Sequence, residues 1–191
     1  MANQNTERDL KQELKNRPAV LYDAKVRQFD TSFWKELAVT VSAASNKVRL
    51  NGGGEIASYS QYLFGTYIFA VNVPNAPAGG HARKIGLLNP SAPTKGAIYF
   101  EITGTTFRCV SYDDDGTAQT STVTWSGDGA EQEFKIEWER DFIVFSLAGT
   151  AIATHKTRVG KKIQLMYLIN SVADNMDLGY ISVPDTSILT S

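Results

Sequence analysis

Glu101 has the most chemically suggestive setting of any acidic residue in this chain. It stands in the apolar run AIYFEI (97–102), two residues after Tyr99. Read as a strand, the run alternates. Ala97, Tyr99 and Glu101 then share one face, and Ile98, Phe100 and Ile102 share the other. A lone carboxyl so placed could donate a proton, but it has no visible partner in the strand. A flat ring can cover the apolar face of a pyranose, and Tyr99 and Trp125 are the best candidates for such a platform, with Tyr112 able to join them. The simpler reading is that aromatics at strand positions are core, which Trp34 and Trp138 fit best.

Other constellations carry less. Asp113-Asp114-Asp115-Gly116 offers oxygen ligands, and Asp113 and Asp115 are weak candidates for calcium. The run lacks the spaced Asp-x-Asp-x-Asp-Gly order of a helical calcium loop, and Asp-Gly is an ordinary hairpin turn, so no metal or other cofactor is expected. His81 and His155 are the only histidines and Cys109 is the only thiol, too sparse for a zinc site. No Gly-x-Ser-x-Gly elbow occurs, and Gly52-Gly53-Gly54 is not followed by Lys-Ser/Thr. His155, Lys156, Arg158, Lys161 and Lys162 form the strongest basic run. It reads as a solvated loop, or else as a contact for an acidic partner. No aromatic residue interleaves with it, which weakens a single-stranded nucleic-acid reading.

Composition narrows the classes. The 191 residues are 42% hydrophobic and 20% charged, with a formal net charge of −1. This fits one domain with a substantial core and gives no clustered positive excess for nucleic acid or anionic membrane. No apolar run approaches a membrane span. The start, MANQNTERDLKQELKNR, is too polar for a secretory signal, so the expectation is a protein made in a cytoplasm and soluble there. A single cysteine allows no intrachain disulfide.

Residues 1–33 read as an N-terminal arm, 34–184 as the folded domain and 185–191 as a tail. Thr6 with Asp9 resembles a capping box, helix formers follow, and Pro18 ends any helix. Leu10 and Leu14 are the only apolar helical pair there, so the segment is either a frayed terminus or an arm that orders against a neighbouring subunit. Beyond Phe33 the pattern has period two. Residues 37–41, 67–73, 97–102, 107–112, 134–138, 142–145, 163–169 and 176–183 read as strands, separated by turn signals such as Asn51-Gly52, Asn89-Pro90 and Asp115-Gly116. Such spacing predicts an all-β, two-sheet antiparallel sandwich. In EQEFKIEWERDFIVF, Phe134, Ile136 and Trp138 share the buried face, and Glu133, Lys135, Glu137 and Glu139 face water.

From about Tyr62 to Val183 the order of elements resembles the concanavalin A-like lectin/glucanase fold, a jelly-roll sandwich. YLFGTYIFAVNVP is similar to a strand of the laminarinase-type glucanases that follows a Tyr-Gly signature and ends in Pro. GGHARKIGLLNP resembles their Gly-rich loop and apolar strand, GAIYFEITG their catalytic strand, and NMDLGYISV their closing strand. The likeness covers about two-thirds of the chain. The family's catalytic strand has the form Glu-x-Asp-x-Glu, which puts three carboxylates on one face. Retaining hydrolysis uses two of them, one to attack and one to protonate the leaving oxygen. The resemblance places Ala97 at the nucleophile position, Tyr99 at the middle acid and Glu101 at the acid/base. No Glu-x-Asp-x-Glu occurs anywhere in the chain.

The expectation from these residues is therefore a sandwich without an enzyme's machinery. Its leading form is a non-enzymatic structural or display protein of a virus particle, assembled in the host cytoplasm: a phage capsid decoration, head-fibre or tail adhesin. It would self-associate as a homo-oligomer and contact other virion proteins through its arm, with Tyr99, Glu101, Tyr112 and Trp125 as the candidate residues for holding a cell-surface glycan. The alternatives are a soluble carbohydrate-binding module or lectin, and a degenerate glucanase-type glycosidase centred on Glu101.

Overall fold

In a computed structural model, the described residues are 18–23, 34–37, 41–44, 47–50, 53–62, 64–73, 82–89, 91–103, 106–125, 129–160, 164–170 and 176–184. Among them there is no helix. Two antiparallel sheets account for fifteen strands. Sheet A runs in the order β13 (Thr150–His155), β12 (Ile143–Leu147), β11 (Glu131–Trp138), β6 (Gly65–Asn72), β15 (Met176–Pro184), β4 (Lys47–Leu50) and β3 (Val41–Ala44). The strand β1 (Pro18–Asp23) also pairs with β15. Sheet B runs β10 (Ala118–Val123), β9 (Thr106–Tyr112), β8 (Ala97–Thr103), β7 (Ala82–Leu87), β14 (Gln164–Asn170), β5 (Gly54–Tyr62) and β2 (Trp34–Leu37).

The all-β sandwich expected from the alternation is the fold observed. Its boundaries differ in places. Residues 18–23, assigned above to the arm, form β1 on sheet A. Leu10 and Leu14 lie outside the described residues, as does the 185–191 tail. Of the strand expected at 37–41, Leu37 ends β2 on sheet B and Val41 begins β3 on sheet A, and 38–40 lie outside the described residues.

Period-two patterning explains the core. From sheet A, Tyr67, Phe69, Val71, Phe134, Ile136, Trp138, Ile143 and Phe145 point inward and are fully buried. From sheet B, Ile85, Leu87, Ile98, Phe100, Ile102, Phe107 and Cys109 meet them. Phe100 is the hub. Its ring stacks on Phe107 at 5.8 Å, meets Phe134 edge-on at 5.3 Å and meets Phe145 at 5.2 Å. Each large side chain so buried contributes roughly 1.5–3 kcal/mol. Cys109 sits within this layer, and burial pushes its thiol up to about 12, so it is a packing residue and no nucleophile.

Alternation on three adjacent strands also fixes a second face. With Ile85, Phe100 and Phe107 inward, the residues between them turn outward on sheet B. Gly86 makes the close approach of β7 and β8 possible. Its φ is +150°, and a Cβ there would collide with the Ile98 carbonyl oxygen and come within 2.7 Å of Tyr99 Cα.

Candidate functional site

Register brings the outward residues into rows. Lys84 on β7 lies opposite Glu101 on β8, and Glu101 lies opposite Arg108 on β9. Antiparallel partners share a face, so three charged side chains stand side by side across three strands. The Lys84 ammonium is 3.8 Å from one Glu101 oxygen, and the Arg108 guanidinium is 3.6 Å from the other. Glu101 is held between two cations, too far from either for a hydrogen bond. It keeps 17% of its side-chain surface open, against 23% for Lys84 and 43% for Arg108.

One row further along are Gly86, Tyr99 and Val110, then Ala97 opposite Tyr112. Lys84 lies over the Tyr99 ring at 4.8 Å from its centre, and Tyr99 and Tyr112 stack at 6.5 Å. Tyr99 is almost wholly buried. With Ala57, Leu88, Ala97 and Val110 it forms a small apolar cluster on the outer side of sheet B, bordered by Tyr112. Burial pushes the Tyr99 phenol well above its usual value, and the charge of Glu101 and the hydrogen bond with Tyr112 push it the same way. It is therefore a protonated hydroxyl beside the carboxylate across the whole neutral range.

Tyr99, Glu101 and Tyr112 thus come together as the alternation implied. Trp125 does not join them. Its ring packs on the inner Phe107 at 5.5 Å and against the main core, and its Nε1 donates to Gln132 Oε1 at 2.8 Å. Lys84 and Arg108 were not singled out by sequence. Their only signal is alternation, since Arg108 is out of phase with Phe107 and Lys84 with Ile85; the pairing register that aims them at Glu101 is not written locally.

Asp113 and Asp115 lie in a turn. Asp113 Oδ1 accepts from the backbone N–H of Thr117 at 2.7 Å and of Asp115 at 3.0 Å. These bonds, that from Thr117 foremost, hold the Asp113 carboxyl below its usual range. The carboxylate is engaged in shaping the turn. No group of three His, Cys, Asp or Glu side chains suited to a metal ion occurs among the described residues.

The expected solvated loop at His155 is corrected by the structure. His155 ends β13 and is fully buried. Ser111 Oγ meets its Nδ1 at 2.7 Å and Ser121 Oγ meets its Nε2 at 3.0 Å, while Phe145 packs against the ring at 4.9 Å. Ser111 also donates to Thr157 Oγ1 at 2.7 Å. Both ring nitrogens face serine hydroxyls, so this is a clasp between the edges of the two sheets and no catalytic triad. Lys156 and Arg158 flank it outside. A groove of about 810 Å³ nearby is lined by Phe64, Arg140, Asp141, Arg158 and Gly160, none of which belongs to the Glu101 rows.

No protein-family model and no curated protein matches the sequence. The fold does match solved structures. It is similar to the Bacillus licheniformis β-glucanase with a TM-score of 0.68 and 12% identity, covering 86% of this chain and 97% of that one. It is similar to the Crh5 transglycosylase at 0.68 and 13%, covering 90% and 85%. A non-specific endo-β-1,3(4)-glucanase of family GH16, SCLam, matches at 0.67 and 11%, covering 86% and 90%. At these identities the likeness defines the fold: a concanavalin A-like sandwich of the kind seen in GH16 glucanases.

These matches overturn the leading functional expectation. Nothing in them points to a capsid decoration, head fibre or tail adhesin, and the structures named are of hydrolases and a transglycosylase. The non-enzymatic virion assignment was drawn from Ala97 and Tyr99 replacing two acids, and from the polar N-terminal segment. A missing side chain in one strand says nothing of a particle, and it left Glu101 and its two cations out of account.

Proposed function

We propose that this chain acts on the glycosidic bonds of a β-linked polysaccharide, as a hydrolase or transglycosylase, with Glu101 as its proton-transfer group. The observation that carries this is the row itself. On the outward face of β7, β8 and β9, Glu101 is the single carboxylate, and cations from both neighbouring strands are aimed at it. The structures sharing the fold include a β-glucanase, an endo-β-1,3(4)-glucanase and a transglycosylase, which supports glycoside chemistry on this scaffold.

Cleaving an acetal requires a proton on the departing oxygen as the C1–O bond breaks. The Glu101 carboxylate relays it. An acceptor oxygen, from water in hydrolysis or a sugar hydroxyl in transfer, bonds to C1 and gives its proton to Glu101, which hands it to the departing oxygen. The carboxylate is thereby restored. Ala97, a buried methyl, cannot form a glycosyl–enzyme ester, so with these residues the acceptor reaches C1 from the side of the departing oxygen, where Glu101 serves both oxygens. Tyr99, kept protonated and hydrogen-bonded with Tyr112, forms a fixed apolar floor beside Glu101.

The test is turnover on a panel of neutral and acidic β-linked polysaccharides, reading new reducing ends and transfer products. The expected result is turnover by the wild type and its loss in Glu101→Gln, by about 10²–10⁴-fold, the usual worth of a positioned general acid. No turnover on any member, or an undiminished rate in Glu101→Gln, defeats the proposal.

A further inference from the structure

We infer that the polysaccharide bound on the outer face of sheet B carries acidic groups, carboxylate or sulfate, which Arg108 engages with Lys84 beside it. The inference rests on the glycoside-processing reading above and names the class of chain that the site takes.

The charge count in the rows comes first. One carboxylate is balanced by one cation, and here there are two. The remaining outward residues of β7, β8 and β9 are Ala82, Gly86, Ala97, Tyr99, Thr103, Thr106, Val110 and Tyr112, all uncharged side chains. These three strands are net positive on a chain whose formal charge is −1, and farther along the sheet Lys35 and Glu55 add one charge of each sign.

The geometry of the pairs comes second. A guanidinium has five N–H donors in a fixed fork. Arg49 shows what a satisfied fork looks like in this molecule: its Nε and Nη2 donate to both Asp177 oxygens at 2.7 Å and 3.0 Å. Arg108 lies directly across a strand pair from its carboxylate, as Arg49 does, yet its nearest approach is 3.6 Å. It makes no side-chain hydrogen bond to a described residue and keeps 43% of its side chain open. Its donors are spare and face outward beside Glu101. A carboxylate or a sulfate half-ester offers paired oxygens that match such a fork; a neutral hydroxyl offers one.

The setting of Lys84 comes third. Its side chain is largely covered, with the ammonium over the Tyr99 ring and Glu101 at 3.8 Å as its charged partner. A cation paired this loosely has donors to offer a second anion. An anion arriving between Lys84 and Arg108 supplies the missing partner for both.

The experiment measures binding by calorimetry for three oligosaccharides of equal length: a neutral β-glucan, a β-linked polyuronate and a sulfated β-galactan. At low salt the wild type is expected to bind at least one acidic chain about tenfold more tightly than the neutral one, with affinity falling as salt rises. Which acidic chain binds identifies the carboxylate or the sulfate as the recognised group. Arg108→Gln is expected to weaken the acidic chain more than the neutral one by about tenfold, with Lys84→Gln moving in the same direction. Unfolding midpoints near the wild-type value show that both variants fold. Equal affinity for neutral and acidic chains, indifference to salt, or equal weakening of both chains in Arg108→Gln overturns the inference. Turnover separates the two proposals. A neutral glucan bound and cleaved as well as the acidic chains defeats this inference and leaves the function standing. Selective acidic binding without turnover of any chain does the reverse.

Discussion

Arg49 and Arg108 stand in matching places on opposite sheets. Each is on the outer face and each lies directly across a strand pair from a carboxylate, Asp177 for one and Glu101 for the other. The first pair closes into a two-pronged hydrogen bond at 2.7 and 3.0 Å. The second stays at 3.6 Å because its carboxylate is shared with Lys84 on the far side. A carboxylate drawn toward two cations in opposite strands satisfies neither. On sheet A the ion pair is finished and serves cohesion. On sheet B the same chemistry is left open, and open charge beside a partly buried carboxylate is what a binding face requires.

Exchanging the carboxylates for amides gives the largest test of this contrast. Glu101→Gln is expected to lose about 10²–10⁴-fold in turnover, with a thermal midpoint close to wild type. Asp177→Asn is expected to lower the midpoint and keep the turnover. Parallel kinetics and calorimetry on the two variants decide it, and matching behaviour would erase the distinction between the sheets. Next in size is Gly86→Ala. The added methyl meets the Ile98 carbonyl and the Tyr99 backbone, so β7 must move away from β8. A loss of about 1–3 kcal/mol in urea unfolding is expected, together with a fall in turnover as Lys84 shifts from Glu101.

The His155 clasp adds a third polar cluster, enclosed rather than open. Burial pushes its imidazole below the ordinary value of 6.5. Below 6.5 the unfolded chain takes up a proton that the folded chain resists. The stabilising contribution is therefore complete above 6.5 and declines as pH falls through 6.5 toward the folded value. Urea midpoints between about pH 7.5 and 5.5 should drop for wild type and drop less for His155→Gln. The smallest effect is Lys84→Met. It frees Glu101 to close on Arg108 and should change stability by less than about 1 kcal/mol. A crystal structure of that variant should show the Arg108–Glu101 distance shortened toward that of Arg49–Asp177.

Where side chains alternate strongly, the sequence specified the strands. β8, β9 and β11 place Ile98, Phe100, Phe107, Phe134 and Trp138 inward as their spacing implies. β5, β10 and β13 were not legible. β10 reads Ala-Gln-Thr-Ser-Thr-Val, and its inward positions at Gln119 and Ser121 are polar because they hydrogen-bond Thr157, Lys156 and His155. β5 begins in a glycine run and continues through Tyr59-Ser60-Gln61, which mimics a loop. His155 was hidden by its neighbours: Lys156 and Arg158 suggest solvent, while the serine that buries it is 44 residues away. Arg83 is fully buried at a core-facing position that hydrophobic patterning would give to an apolar residue. At the candidate site the facing of Tyr99 and Glu101 was legible from alternation. The inward turn of Trp125 was not, since it depends on Phe107 and Gln132 from other strands.

The row across β7, β8 and β9 has one more consequence, for folding. Side chains on a strand swap sides with each residue, so a one-residue slip of β8 against the core would drive Glu101 inward among phenylalanines. A like slip of β7 or β9 would send Lys84 or Arg108 the same way. Three ionised groups excluded from hydrocarbon therefore act as a key for strand alignment. Removing all three at once should leave the chain freer to mispair and aggregate while it assembles, even where the finished fold tolerates each loss singly.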